Sequence, residues 1–438
     1  MKKTIVILGA GSTYFTRGIV EALIAKGGEW DVRLVDIDST CLEIATLLSK
    51  RLVELYDAPV SVTGSTDRLD VLPGADTVVS TIGVGGRRAW EKDVQIFRQF
   101  NIYQSTGDTY GAGGLSRALR TIPVLVEVAR DIEKCCPGAL FINFSNPMTV
   151  NVWAISKTTS VKVAGLCYGV TWYQHYLAGL LGLPWQSLTC RAIGVNHFTW
   201  ITDLKYQGES VWPRLRKVMA ERGFGSEKDP SYTWELFRMF EAFPCVGDGH
   251  ICEFVPGWQA QGAYYGKTFG TTYHNFEDYA ATFDRIYDQM ADQAYGRSPL
   301  LKRQEMETEK DQFRDEDLFI DVLNAWMGGE SIFRTVNLPN IGQAANLPVG
   351  AVLEATTLIN GDGFQPLCFG DLPGGIRAIL LRILGVQELT VEAGLKADRK
   401  LAIQALVTGE TVRTEAEVNK VMDVILDTHR QYLPQFFQ

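Results

Sequence analysis

Over roughly the first 170 residues, short β-branched runs alternate with amphipathic stretches, and no other feature constrains the fold as much. Thr4–Leu8 reads as a strand, followed by a helix from about Thr13 to Lys26. Asp31–Val35 is a second strand, ending on Asp36, and Cys41–Tyr56 has helical periodicity. Val60–Thr63, Thr77–Ser80, Leu140–Asn143 and Lys162–Leu166 are further strands, with helical patterns between most of them. Strand and helix in alternation predict a parallel sheet covered on both faces.

Beyond about residue 195 the pattern changes. Thr199–Tyr206 and Val352–Leu358 read as strands of a more mixed sheet, and Phe276–Ala294, Ile376–Leu384 and Ala416–Thr428 as helices. The charged stretch Arg303–Glu316 reads as a solvated helix or loop. With 438 residues the chain exceeds one ordinary core, so two associated domains are expected. The fold class is therefore α/β: a Rossmann-like doubly wound sheet in residues 1–195, packed on an α+β domain in residues 196–438. This is an architecture of the lactate/malate dehydrogenase kind.

Gly9-Ala10-Gly11-Ser12 falls where the first strand turns into the first helix. Glycines there let the backbone approach a pyrophosphate, which the helix N-terminus then holds. Tyr14 stands at the third position of the usual Gly-x-Gly-x-x-Gly. Asp36 closes the second strand, where an acid accepts hydrogen bonds from an adenosine ribose and repels a 2′-phosphate, favouring NAD over NADP. Ser80-Thr81-Ile82-Gly83 follows another strand on the far side of the same crevice. The cofactor-binding candidates are Gly9, Gly11, Ser12, Thr13, Asp36, Ile82 and Asn143.

Polar residues also gather at strand ends, where ligands bind in such sheets: Asp108, Asn146, Cys167, Asn196 and His197, with Asp248 and His250 following. Taken alone, Cys167 reads as a buried thiol and His197 as a hydrogen-bonded histidine beside a strand. Trp172, Tyr173, His175 and Tyr176 fall on one helix, where core packing explains most of them. His274 and His429 have no partner motif and read as surface or packing residues, and Cys135-Cys136 as a helix end. An extended segment would place Asp248, His250 and Cys252 on one side and Glu253 on the other.

The sequence resembles glycoside hydrolase family 4 over nearly its whole length. The resemblance rests on an ordered set: Gly9-Ala10-Gly11-Ser12, Val84-Gly85-Gly86, the loop Gly107–Gly114, Leu119-Arg120-Thr121-Ile122-Pro123, Asn143–Pro147, Gly165-Leu166-Cys167 and Gly194-Val195-Asn196-His197. Within the family it is most similar to the α-galacturonidase-type branch, through Ile102-Tyr103-Gln104-Ser105, His197–Ile201, Gly247–Pro256 and Val336–Asn340. The resemblance implies NAD and a divalent metal, usually Mn2+. It implies Cys167 and His197 as metal ligands and Asn146 as a substrate contact; Asn196, beside His197, and His250 are further substrate-binding candidates. It also implies Asp248 as the base at C2, with Asp108 and Tyr168 as further catalytic candidates, and a homodimer or homotetramer.

The activity implied is hydrolysis of an α-glycoside, galacturonide-like or a neutral hexoside. Its steps are NAD-mediated oxidation at C3, deprotonation at C2, elimination of the aglycone, water addition and re-reduction. Two positions depart from the family pattern. Tyr168 stands where many members have His, Asn or Asp, and a phenol with an ordinary pKa of about 10 is a reluctant acid–base group. Gly249 stands where the uronide branch tends to have Arg, which would suit a carboxylate. The phospho-glycosidase branch has Arg at what looks like the position of Trp90, and Arg87 and Arg88 are offset from it, which disfavours a phosphosugar.

Two rivals share the doubly wound pattern: an NAD-dependent 2-hydroxy-acid dehydrogenase and a non-catalytic NAD sensor. Neither explains the ordered motifs. A net charge of -9 argues against nucleic acid or an anionic membrane as partner. No apolar run is long enough for a spanning helix, and Ile5–Leu8 is too short for a secretory leader. Cys41, Cys135, Cys136, Cys167, Cys190, Cys245, Cys252 and Cys368 are scattered without a CxxC pair. They read as reduced thiols of a cytoplasmic protein.

Overall fold

The computed structural model describes residues 2–226, 231–255, 257, 276–302, 305, 315–410, 412 and 414–437. The chain opens with β1 (Lys3–Leu8), α1 (Thr16–Lys26), β2 (Trp30–Val35), α2 (Ser39–Tyr56), β3 (Val60–Ser65) and β4 (Thr77–Ser80). It continues through α3 (Gly86–Gln95), α4 (Gly111–Cys135), β5 (Leu140–Asn143), α5 (Met148–Thr158), β6 (Lys162–Gly165) and α6 (Gly169–Leu181). Then come β7 (Leu188–Val195), β8 (Phe198–Tyr206), β9 (Glu209–Ser210), α7 (Trp212–Arg222), α8 (Tyr232–Phe240), β10 (Phe243–Cys245) and α9 (Asp248–Phe254). The remainder is α10 (Phe276–Ala294), α11 (Asp315–Trp326), β11 (Ile332–Pro339), β12 (Val352–Asn360), β13 (Gly363–Pro366), α12 (Gly374–Lys396), α13 (Arg399–Thr408) and α14 (Glu415–Thr428).

Six strands run parallel in the order β3-β2-β1-β4-β5-β6, the dinucleotide-binding order of doubly wound sheets. Both faces of these strands are covered, so they read as near-continuous apolar runs such as Ile5-Val6-Ile7-Leu8, all buried. Beyond β6 the sheet turns antiparallel. Gly165 of β6 pairs with Asn337 of β11, and the order continues through β12, β7, β8 and β10. One sheet thus runs through both halves of the chain, and the expected parallel and mixed parts are both present.

Helices close the two faces. On one, α1 and α2 bury Ile19, Leu23 and Leu48 together with Leu318, Phe319 and Val322 of α11 and Met290 of α10. On the other, α4, α5, α12 and α14 form a core around Leu119, Ile122, Ile155, Leu380 and Ile425. Among the described residues no helix is long and apolar enough to cross a membrane.

Three readings need correction. The first helix begins at Thr16, not Thr13, because the Ser12 hydroxyl accepts from Tyr14 N and Phe15 N and holds residues 12–15 in a turn. Helix α12 runs on from Ile376–Leu384 to Lys396, since Val391 and Ala393 are buried beyond Gly385 and Gly394 lies against Ile122. The Asp248–Phe254 segment is helical, not extended: Gly247, at φ 88°, precedes the helix and its carbonyl accepts from His250 N and Ile251 N. Asp248 and His250 consequently point to different sides. Most of Arg303–Glu316, and His274, lie outside the described residues.

Of the two readings of His429, surface or packing, the structure bears out packing, and it adds a partner that no sequence motif indicated. His429 Nε2 lies 3.0 Å from Asp93 Oδ1, and both residues are buried. The same carboxylate receives Arg120 Nη1 at 2.8 Å and Nη2 at 2.7 Å. This cluster ties α3, α4 and the C-terminal end of α14 together, 336 residues apart in sequence for Asp93 and His429. Arg120→Ala leaves Asp93 buried without its bidentate partner. The variant is expected to lose on the order of 3–5 kcal/mol of stability, read from its chemical-denaturation midpoint.

Candidate functional site

The chain leaves β1 and β4 in opposite directions across the sheet, which opens a crevice at their C-terminal ends. Gly9 lies there at φ 83°, and a Cβ on it would stand 2.9 Å from the backbone N of Ile82. A side chain would need both a left-handed backbone and space already filled. Gly11 N donates to Asp36 Oδ2 at 2.8 Å, and a Cβ on Gly11 would meet Cys41 Cβ at 2.6 Å. Asp36 Oδ1 accepts from Asp38 N at 3.0 Å. Ser12, Thr13, Asp36 and Ile82 are half-buried around this crevice. The Asn143 amide is instead engaged in its own turn, donating to Ser145 O at 2.9 Å and accepting from Ser145 N at 3.3 Å.

Further along the sheet, three loops and a helix converge. Asp108 precedes α4, Asn146 follows β5, Asn196 and His197 form the two-residue turn between β7 and β8, and His250 lies on α9. His197 has φ 67°, a conformation that side chains rarely adopt and that tends to mark functional sites. Thr109 Oγ1 donates to Asp108 Oδ1 at 2.7 Å and lies 2.8 Å from His197 Nδ1. With its own proton directed to Asp108, Thr109 accepts from His197 Nδ1–H and leaves the Nε2 lone pair available. Asn146 Nδ2 donates to Asp108 Oδ2 at 2.9 Å. The His197 and His250 rings lie 3.9 Å apart between centroids.

Asp108, His197 and His250 can each direct one ligand atom to within 4.8 Å of the others. Cys167 is outside that set, half-buried where the chain passes from β6 into α6. Among the described residues, both polar atoms of the buried Asn196 side chain, and Asn146 Oδ1, have no hydrogen-bond partner. Buried amides ordinarily have such partners, so these atoms are available to the hydroxyls of a ligand.

The electrostatics follow from burial. Burial and the neighbouring His250 push the His197 imidazole down to about 3, and burial lowers His250 as well. Burial raises Asp108, but His197, His250 and Arg117 outweigh it and hold the carboxyl below its usual range. Because both imidazoles are neutral near pH 7, Arg117 is the lasting cation beside Asp108. Asp248 is raised by burial, against hydrogen bonds to Oδ1 from Thr233 N at 2.8 Å, Thr233 Oγ1 at 2.7 Å and Ser231 Oγ at 3.0 Å. Tyr168 is buried at the start of α6, its ring 6.4 Å from that of His175.

Three participants were missed in the sequence: Thr109, Arg117 and Glu253. Only Thr109 had a usable signal, its place beside Asp108. Glu253 Oε1 accepts from Thr106 N at 2.6 Å and Gly107 N at 2.7 Å, so it fastens α9 to the Asp108 loop. Arg87 and Arg88 both pair with Asp284 of α10, at 3.0 and 2.8 Å, and so are engaged in holding α10 on α3.

Burial pushes Glu253 up to about 8 against those two backbone donors. A raised acid stabilises the fold fully below its unfolded pKa and loses that contribution as pH rises through the folded value. Between about pH 4.5 and 8 Glu253 should therefore lower stability by up to about 1.4 kcal/mol per pH unit. Glu253→Gln is expected to flatten that decline in melting temperature. An unchanged pH profile would contradict the assignment.

The sequence model of the family 4 glycosyl hydrolases matches residues 4–183, and that of the family 4 glycosyl hydrolase C-terminal domain matches residues 192–412. An alpha-galacturonidase of Thermoanaerobacterium saccharolyticum is 31% identical over 83% of this chain and 81% of its own. An alpha-galactosidase of Bacillus subtilis is 26% identical over 99% of this chain and 100% of its own. A 6-phospho-alpha-glucosidase from gut microorganisms, solved with NAD and Mn2+, shares the fold at 19% identity. It superposes with a TM-score of 0.83 over 99% of each chain. The chain belongs to the family 4 glycosyl hydrolases.

Proposed function

We propose that this enzyme hydrolyses an α-glycoside, galacturonide-like or a neutral hexoside, with NAD and a divalent cation, usually Mn2+, in its site. One observation carries the reading: the buried Asp108–Thr109–His197 relay and the orphaned Asn196 amide stand beside a crevice that admits only glycine at residue 9. Arg117 links the two places, with Asn146 O accepting from its Nε and Gly83 beside its Nη2.

The residues present fit both groups. Gly9, Gly11, Ser12, Thr13 and Ile82 would line the dinucleotide, with Asp36 toward its ribose; Asn143 would shape that wall through Ser145. Cys167 and His197 would hold the cation, with Asp108 and His250 within reach of it, a soft-and-hard donor set that a borderline divalent ion accepts. When bound, the two groups supply reversible oxidation at C3 of the sugar and polarisation of its oxygen.

The chain's own residues do the rest. Asn146, Asn196 and His250 orient the sugar, the orphaned amide atoms meeting its hydroxyls. Asp248 removes the C2 proton at its second carboxylate oxygen, Oδ1 being held by Thr233 and Ser231. Its raised pKa brings it closer to the operating pH than an ordinary carboxylate. Tyr168 donates to the departing C1 oxygen. We also propose two units divided at residues 195 and 196, a homodimer or homotetramer, and a cytoplasmic location, which the eight free cysteines support.

The test is sugar release from nitrophenyl and natural α-glycosides and uronides, with NAD, Mn2+ and a thiol reductant, omitting one at a time, in D2O. Release requiring both cofactors and placing deuterium at C2 is the expected result, and release without NAD would sink the reading. Asp248→Asn should lower kcat roughly 10²- to 10⁴-fold with sugar binding retained. In the parent enzyme the acid limb of kcat/KM should fall above the ordinary carboxylate range and be absent from the residual activity of that variant.

A further inference from the structure

Arg117 and Arg120 lie one turn apart on α4 and meet opposite surroundings. Arg120 is locked on Asp93. Arg117 faces the crevice: its Nε donates to Asn146 O at 3.1 Å, its guanidinium lies 5.7 Å from the centroid of the Trp90 ring, and a Cβ on Gly83 would stand 3.7 Å from Nη2. Among the described residues no carboxylate oxygen approaches Arg117 within salt-bridge distance, since Asp93 is taken by Arg120 and His429 and Asp108 by Asn146 and Thr109. Nη1 and Nη2 have no acceptor among the described residues. A guanidinium held inside a protein with its fork of donors open is costly unless an anion completes it. Trp90 fixes it from beneath, its own Nε1 donating to Thr106 O at 2.7 Å.

We propose that Arg117 binds an anionic oxygen of the sugar, between Gly83 and Asn146. The inference rests on the glycosidase reading above and deepens it. The anion has two sources of the same chemistry. A uronide brings a permanent carboxylate, for which Gly249 leaves no Arg on α9. Alternatively, with C3 oxidised by the nicotinamide dinucleotide, transfer of the C2 proton to Asp248 moves the C–H electron pair into a C2–C3 double bond and leaves the charge on the C3 oxygen. In either case a planar fork of N–H donors aimed at the oxygen stabilises it.

The experiment uses Arg117→Met, which keeps an apolar contact on Trp90, and Arg117→Lys, which keeps the charge, each checked for a parental melting temperature. Calorimetry on protein loaded with NAD and Mn2+ measures binding of free galacturonate and of free galactose, beside kcat and KM on an α-galacturonide and an α-galactoside. A loss of galacturonate affinity of about tenfold or more in Arg117→Met, with galactose unaffected, assigns the carboxylate. A comparable loss in kcat on both substrates, with binding intact and partial recovery in Arg117→Lys, assigns the C3 oxygen. Folded Arg117→Met with parental affinities and kcat overturns the proposal. If the parent enzyme neither binds nor turns over any sugar with both cofactors present, the underlying glycosidase reading is what fails.

Discussion

The close approach of Gly9 to Ile82 is the contact on which the site depends. It occurs where β1 and β4 lie side by side and their chains depart to opposite ends of the sheet. Without a Cβ, the β1–α1 turn lies directly against the segment after β4, and a backbone-lined crevice results. Everything chemical then hangs from neighbouring strand ends in order. Thr81 and Ile82 follow β4, Asn146 follows β5, Cys167 follows β6, and the Asn196-His197 turn arrives from the antiparallel part of the same sheet. Because β6 pairs directly with β11, the second half of the chain is fixed relative to this crevice by backbone hydrogen bonds.

Buried charge is the second organising element. Three carboxylates inside the protein are treated in three ways. Asp93 is fully paired by Arg120 and His429 and serves the fold. Asp108 is held through Asn146 and Thr109 with the cation of Arg117 nearby, so it stays ionised without a direct ion pair. Among the described residues Glu253 has only backbone donors, and it is pushed toward the protonated form. Environment alone separates their proton affinities, and separated affinities are what acid–base chemistry in one site needs. The same low-polarity surroundings keep His197 neutral with a free lone pair, as metal ligation requires.

Helix α9 shows how a local misreading changes chemistry. Read as extended, residues 248–254 would present Asp248 and His250 together. As a helix, they send Asp248 to Thr233, His250 to His197 and Glu253 to the Asp108 loop. One short element thereby touches three parts of the site. Gly247 caps this helix at a positive φ, and its carbonyl accepts the first helical hydrogen bonds. A seven-residue helix rich in polar side chains carries too little periodicity to be recognised.

The sequence by itself determined the parallel half of the sheet, its dinucleotide-type turn and the strand ends on which Asn146, Cys167 and His197 lie, whereas Asp108, also read at a strand end, lies in the loop between α3 and α4. These follow from period, β-branching and glycine placement, all of which act over a few residues. Only the tertiary structure decided which arginine of α4 is paired and which faces the crevice, and it joined His429 to Asp93 across 336 positions. It also left the buried Asn196 side-chain amide with no hydrogen-bond partner among the described residues. Such outcomes depend on desolvation and Coulomb forces between groups far apart in the chain, and those forces act only once packing has excluded water around them.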